Sequence, residues 1–246
     1  MQGVWGGTNT TRERRVRAVV CQNTAMTVED LPELVPAKGQ VLIEVERCGI
    51  CGSDLHLRHA CDEMKALLGR VGAGHLVPSS SDRLVFGHEL CGRVLEHGPG
   101  TRKRLKVGTR VVAQPFLRVG SDIHLCGLSP IATGGYAERM LLQESALLPV
   151  PNGLSADIAA LTEPMSVGLH AVQRSEIGKR DMAVVIGCGP VGLFAVQSAL
   201  KMGAAAHQHR DTGVGVIGAR RLDQFERQPL DEIAHEQGAE AGLEGD

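Results

Sequence analysis

The sequence predicts a mixed α/β protein: a β-rich, barrel-like domain comes first, followed by a strand, a glycine turn and a helix. Three observations carry this. Short β-branched runs recur over residues 16–149. A continuous apolar run, Met182-Ala183-Val184-Val185-Ile186, leads straight into Gly187-Cys188-Gly189-Pro190-Val191-Gly192. Apolar periodicity then stops after Gly203.

Residues 1–15 carry Arg12, Arg14 and Arg15 but no apolar stretch, so they fail as a secretory signal and read as an unstructured extension. The β runs that follow are Arg17-Ala18-Val19-Val20, Val41-Leu42-Ile43-Glu44-Val45-Glu46, Gly92-Arg93-Val94-Leu95 and Thr109-Arg110-Val111-Val112. Turn chemistry such as Pro36-Ala37-Lys38-Gly39 and Gly98-Pro99-Gly100 separates them. Many short strands with irregular excursions predict a barrel-like domain over residues 16–154. One excursion, residues 62–68, has helical spacing, and residues 78–82 form a polar loop just ahead of Phe86-Gly87-His88.

Ser155 is placed to cap a helix whose first turn carries Asp157, and helical spacing continues through Met165, Val167, Leu169 and Val172. The Met182 to Ile186 run has the composition of a strand buried on both faces. Residues 193–202 then read as a helix ending near Gly203, so residues 155–203 form a linking helix and one strand-helix unit. From 204 to 246 only eight of 43 residues are Leu, Ile, Val or Phe, against nine acidic side chains and four Arg, a composition typical of disorder. A second parallel strand is due near Ala205, but the residues there, Ala206-His207-Gln208-His209-Arg210, hold no apolar run; only residues 229–237 have the makings of a short helix.

Hydrophobic residues make up 43% of the 246-residue chain and charged ones 22%, with a formal net charge of -2, the composition of an ordinary globular protein with no basic surplus for nucleic acid. Aromatic residues are 2%, which leaves no stacking platform for bases. Every apolar stretch is broken well before the ~20 residues a membrane span needs. Seven cysteines, an odd number, without a secretory signal predict a reducing compartment, the cytoplasm, and thiols that are reduced or metal-bound.

The motif with most chemistry is Cys51-Gly52-Ser53-Asp54-Leu55-His56 followed, after a loop long enough to fold back, by Gly87-His88-Glu89. Sulfur, imidazole and carboxylate are the donors that suit an open zinc site. Cys48-Gly49-Ile50-Cys51 taken alone reads equally as half of a structural zinc knuckle, but no second C-x-x-C completes one. Gly187, Gly189 and Gly192, between a buried-strand run and a helix, match a dinucleotide turn in which glycines admit the pyrophosphate and let the helix pack closely, with Pro190 and Val191 belonging to the same cofactor-binding turn.

Gly49-Ile50-Cys51-Gly52-Ser53-Asp54-Leu55-His56, Gly87-His88-Glu89, Gly134-Gly135-Tyr136-Ala137-Glu138 and Glu163-Pro164-Met165-Ser166-Val167-Gly168, in that order ahead of the glycine turn, resemble the zinc-dependent medium-chain alcohol dehydrogenases. The Glu-Pro form is similar to the sorbitol and threonine dehydrogenase branch. The resemblance covers residues 16–203. It implies a GroES-like β-barrel catalytic domain carrying zinc, joined to a Rossmann-type domain that binds NAD or NADP, with a small alcohol or polyol as substrate. It further implies that Cys51 and His88 ligate zinc, that Glu89 or Glu163 supplies the third protein donor, and that water or substrate takes the open position. Zinc as a Lewis acid then eases loss of the alcohol proton while hydride leaves toward the nicotinamide. Ser53 would take the hydroxyl proton and His56 pass it to solvent. Asp54 reads as structural, holding its loop by backbone hydrogen bonds.

Two departures qualify the resemblance. Many relatives bind a structural zinc through four closely spaced cysteines, whereas between Arg110 and Tyr136 only Cys126 is present, so one catalytic zinc and no structural zinc is expected. From Met182 to Asp246 there are 65 residues, room for about two strand-helix units at ~30 residues each. A truncation or a reading-frame change after Gly203 is therefore expected, and Asp211, 24 residues past Gly187, lacks the strand that would deliver it to a ribose. The rival function is a non-catalytic zinc-binding remnant or an accessory subunit. Which alcohol, which dinucleotide and whether the chain forms a homo-oligomer stay open.

Overall fold

The computed structural model describes residues 15–209 and 217–220. They divide into two units between Glu163 and Pro164. The first unit contains β1 (Arg15–Gln22), β2 (Ala25–Pro32), β3 (Gln40–Cys48), α1 (Gly52–Gly69), β4 (Leu90–His97), β5 (Arg110–Ala113), β6 (Phe116–Val119), β7 (Asp122–Leu125), β8 (Arg139–Gln143), β9 (Leu147–Pro149) and the short helix α2 (Ala156–Ala159).

The expected barrel is an open antiparallel sheet in the order β8-β3-β4-β5-β9, accompanied by the hairpins β1-β2 and β6-β7. At its β8 end the chain just ahead of the strand runs on to β1: Val19 N–H donates to Tyr136 O at 2.8 Å and Glu138 N–H to Arg17 O at 3.0 Å. The core lies on β3, β4, β5 and β8. Val41, Ile43, Val94, Val111, Met140 and Leu142 are completely buried, each stabilising the unit by about 1.5–3 kcal/mol. In β8 the consecutive residues Met140, Leu141 and Leu142 are all buried, so this edge strand has apolar contacts on both faces.

A register shift between Val45 and Arg47 bends the end of β3. The bend delivers the chain into Gly49-Ile50-Cys51, at the mouth of α1. The sequence pattern predicts helix only over residues 62–68, whereas α1 starts at Gly52. The reason is local: Asp54 Oδ2 accepts the Cys51 backbone N–H at 3.1 Å, closing a first turn made of residues that otherwise read as loop. Leu57 and Cys61 then bury one face against Val77, Leu84 and Phe86, while Ala60 departs from helical dihedrals and divides the helix into two stretches.

Ser155 caps α2 as expected, its Oγ accepting the Ile158 N–H at 3.4 Å. The helix expected to run on from it is broken at Ala160-Leu161 and resumes as α3 (Thr162–Arg174), which carries Glu163 in its first turn and crosses the boundary between the units.

The second unit holds β10 (Met182–Ile186), α4 (Pro190–Lys201), β11 (Ala205–His209) and β12 (Ile217–Arg220). Its apolar cluster is Val172, Ile177, Ala183, Val185, Ala195, Ala199 and Ala204. β10, α4 and β11 form a strand-helix-strand unit with parallel pairing of Met182 to Ala205 and Ile186 to His209. A strand thus forms where the sequence offers no apolar run, because the ladder is built from backbone N–H and C=O groups and β11 occupies a sheet edge. β12 pairs with the other side of β10 in the antiparallel sense, unlike the parallel neighbour a doubly wound sheet would place there. Asp211 and the helix expected over residues 229–237 lie outside the described residues. Among the described residues no helix is long and apolar enough to cross a membrane.

Candidate functional site

The end of β3, the first turn of α1 and the loop before β4 bring Cys51, His88 and Glu89 together. One donor atom from each lies within 4.8 Å of the other two. His88 and Glu89 are buried and Cys51 is half-buried, so the cluster is sheltered with one side accessible. The Cys48 thiol, by contrast, is pushed up to about 12 by burial, with Asp54 and Glu89 adding to the effect, and faces Gly49 O at 3.5 Å. Cys48 is half-buried and packs against the apolar core of the first unit.

His88 is held between two groups. Its Nε2 stands 3.4 Å from Ser53 Oγ, and its Nδ1 stands 3.4 Å from Asp54 Oδ1. Burial lowers the affinity of the ring for a proton, but the hydrogen bonds and charges of Asp54 and Cys51 outweigh it, and His88 moves up to about 10. Asp54 is pushed up by burial and pulled down more strongly by His88 and Tyr136, so it stays below the usual carboxylate range. Asp54 Oδ1 and His88 Nδ1 are both buried with no hydrogen bond of ordinary length. Such a pair fits a metal ligand whose second ring nitrogen faces an orienting carboxylate, leaving Nε2 for the ion. With sulfur, imidazole and carboxylate clustered and partly desolvated, the donor set fits zinc.

Glu163 is half-buried, and burial raises its carboxyl, with His88 opposing and Glu89 and Asp54 reinforcing the rise. The carboxyl therefore feels the same cluster of charges. Ser53 adjoins His88, whereas His56 stands exposed on α1. The sequence places Asp54 in its loop and shows Tyr136 only as part of the Gly134-Gly135-Tyr136-Ala137-Glu138 motif. In the structure Asp54 faces His88 and receives the Tyr136 hydroxyl at 2.8 Å. The three-residue step from Cys51 to Asp54 was the available signal for the first; nothing in the spacing of Tyr136 announces the second. Cys126 is a core residue, fully buried, its thiol pushed up to about 12 by that burial.

In the second unit the glycine turn joins β10 to α4. Gly187 adopts φ +108, a backbone region that glycine enters freely. A Cβ on Gly192 would come 2.3 Å from Gly187 O, so the helix meets the turn closer than any side chain permits. Pro190 opens α4 at its first position. A Cβ on Gly189 would meet nothing within 4 Å, because that residue fronts a cleft of about 620 Å³. Gly187, Val191, Gly192, Val167 and Arg174 also line it. An open turn at a helix N-terminus fits a dinucleotide pyrophosphate.

Residues 37–152 match the alcohol dehydrogenase GroES-like domain. The (R,R)-butanediol dehydrogenase of Bacillus subtilis is 34% identical over 191 residues, covering 72% of this chain and 52% of that protein. The chain belongs to the zinc-dependent medium-chain alcohol dehydrogenase family. Within it, the sorbitol dehydrogenase of Bacillus subtilis is 31% identical over 205 residues, covering 78% of this chain and 54% of the relative. Among solved structures, the acetophenone reductase of Geotrichum candidum in complex with NAD superposes with a TM-score of 0.66 at 26% identity, over 81% of this chain and 59% of that one. The chain spans about half the length of the curated relatives it matches. The family's GroES-like domain and partial Rossmann domain account for the mixed α/β architecture.

Proposed function

We propose that this chain carries the metal centre and the opening of the dinucleotide site of an oxidoreductase that transfers hydride between an alcohol or polyol and NAD or NADP. The observation that carries the reading is the convergence of Cys51, His88 and Glu89 donor atoms within 4.8 Å. In this reading residues 16–154 are the catalytic domain and residues 155–203 begin the dinucleotide domain. Cys51 and His88 hold the zinc, with Glu89 or Glu163 as third donor. Zinc, when bound, supplies Lewis acidity that eases ionisation of the alcohol. Asp54 holds His88 in its ligating orientation. Ser53 Oγ, next to the cluster, receives the hydroxyl proton, and the exposed His56 hands it to water. Burial of His88 and Glu89 limits water around the reacting atoms. NAD or NADP, when bound, supplies the hydride acceptor, and Gly187, Gly189, Pro190, Val191 and Gly192 receive its pyrophosphate. A single catalytic zinc, a cytoplasmic setting and a homo-oligomer complete the proposal.

A second reading is favoured by one observation, the antiparallel β12 where a doubly wound sheet would be parallel. It makes the chain a zinc-binding accessory that does not take the dinucleotide. Two measurements on the purified chain separate these: bound zinc per chain by elemental analysis, and NAD and NADP binding by calorimetry. Stoichiometric zinc with dinucleotide binding and diol-dependent reduction of NAD supports the oxidoreductase. Zinc without dinucleotide binding supports the accessory reading, and a chain that takes up no zinc overturns both.

A further inference from the structure

We propose that Tyr136 is a positioning residue for the metal centre: its phenol fixes Asp54, and Asp54 in turn fixes His88 in the orientation a ligand needs. The inference rests on the reading of Cys51 and His88 as ligands and adds a residue from a different part of the chain.

The Tyr136 hydroxyl donates to Asp54 Oδ2 at 2.8 Å, and the same oxygen accepts the Cys51 backbone N–H at 3.1 Å. Oδ2 is thereby held by two donors from two segments, and the free orientation of the carboxylate is used up. Oδ1 is left pointing to His88 Nδ1 at 3.4 Å. Asp54 is 2% exposed, so no bulk water replaces a donor that is lost.

The tyrosine is itself fixed to the His88 segment. Its backbone N–H donates to Phe86 O at 2.9 Å, and its carbonyl accepts from Val19 N–H at 2.8 Å. Its ring lies over Gly87, the residue before His88: a Cβ there would come 2.6 Å from ring carbon Cδ1. Gly87 also sits at φ +98, so both backbone and space require glycine. The contacts close a circuit from the Phe86-Gly87-His88 backbone through the Tyr136 backbone and phenol to Asp54, and from Asp54 back to the His88 ring. Packing alone would be served as well by phenylalanine. What tyrosine adds is a hydroxyl delivered to a buried carboxylate that faces a ligand, a kind of outer contact whose loss typically weakens metal binding about 10–100-fold.

The test uses cobalt(II) with the full chain freed of metal by chelator, reading affinity by competition with a coloured chelator and the ligand set from the sulfur-to-cobalt absorption band. Tyr136→Phe should weaken cobalt binding about tenfold. Asp54→Asn should weaken it at least as much, and adding Tyr136→Phe to Asp54→Asn should cost nothing further, because the phenol acts through that carboxylate. Wild-type affinity in Tyr136→Phe, or losses that simply add, would overturn the inference while leaving the metal centre intact; a wild-type chain that takes up no cobalt removes the metal reading itself. Tyr136 is the only tyrosine in the chain. Uniform labelling with fluorotyrosine therefore places one fluorine reporter at this position without deleting the hydroxyl. Its resonance should move when zinc is added to the wild type and stay put in Asp54→Asn; a signal indifferent to zinc in the wild type counts against the inference even if Tyr136→Phe proves unstable.

Discussion

Ser53 Oγ stands 3.4 Å from His88 Nε2, the ring nitrogen on the side away from Asp54, while His56 lies exposed on the same helix. The hydroxyl is therefore at the donor cluster and the second imidazole is at the solvent. Ser53→Ala should leave cobalt affinity unchanged and lower turnover by about 10²-fold or more, the usual contribution of a positioned proton acceptor. His56→Gln should cost much less, since water reaches that position. Steady-state rates with a small diol, set beside metal content, make the comparison; full turnover in Ser53→Ala removes the hydroxyl from the proton path.

The third donor can be separated through a glycine. A Cβ on Gly49 would come 2.3 Å from Glu89 Oε2, the far end of a flexible side chain, and 3.1 Å from Glu89 Cβ, so the carboxylate has to swing aside and the neighbouring backbone to yield by a few tenths of an ångström. Gly49→Ala should then weaken cobalt binding about tenfold if Glu89 ligates, with Glu163→Gln neutral. The opposite pattern assigns the position to Glu163, and chelator competition reads either result.

How much of this was legible in the chain follows from what side chains alone encode. Cys51, His88 and Glu89 could be grouped because their chemistry is rare in combination, and β10 with its glycine turn because a buried run meets a φ-demanding turn. The start of α1 was hidden, since Gly52-Ser53-Asp54 has the composition of a loop until Asp54 closes the first turn. β11 was hidden for the opposite reason: its pairing is a backbone property that polar residues share. Tyr136 meets Asp54 across 82 residues, a distance in sequence that no local pattern spans.

Gly192 makes the second unit testable by itself. Its missing Cβ would stand 2.3 Å from Gly187 O, a backbone atom that cannot turn aside. Gly192→Ala should force α4 away from the turn, destabilising the protein by about 1–3 kcal/mol, the usual cost of overpacking. Dinucleotide binding measured by calorimetry should disappear with it, while cobalt binding in the first unit is retained. An alanine variant that binds NAD or NADP normally would exclude this turn as the pyrophosphate site.

Glu46 supplies a prediction about acid stability. Its carboxylate accepts from Arg93 Nε at 2.9 Å and from Arg110 Nε at 2.6 Å, and the Arg110 hydrogen bond, opposed by burial and aided by Arg93, holds it below the usual carboxylate range. A group with a lowered folded value binds its proton less readily folded than unfolded. Its contribution to stability is therefore complete above the unfolded glutamate's ~4.3 and fades as pH falls through the folded value. Glu46→Gln should cost about 1–2 kcal/mol at neutral pH, the scale of a charged hydrogen bond at a partly exposed site. The gap between wild type and variant should then close in acid. Urea unfolding from neutral pH down the acid limb checks both halves, and a gap that stayed constant with pH would mean that the two arginines do not stabilise the charged form of Glu46.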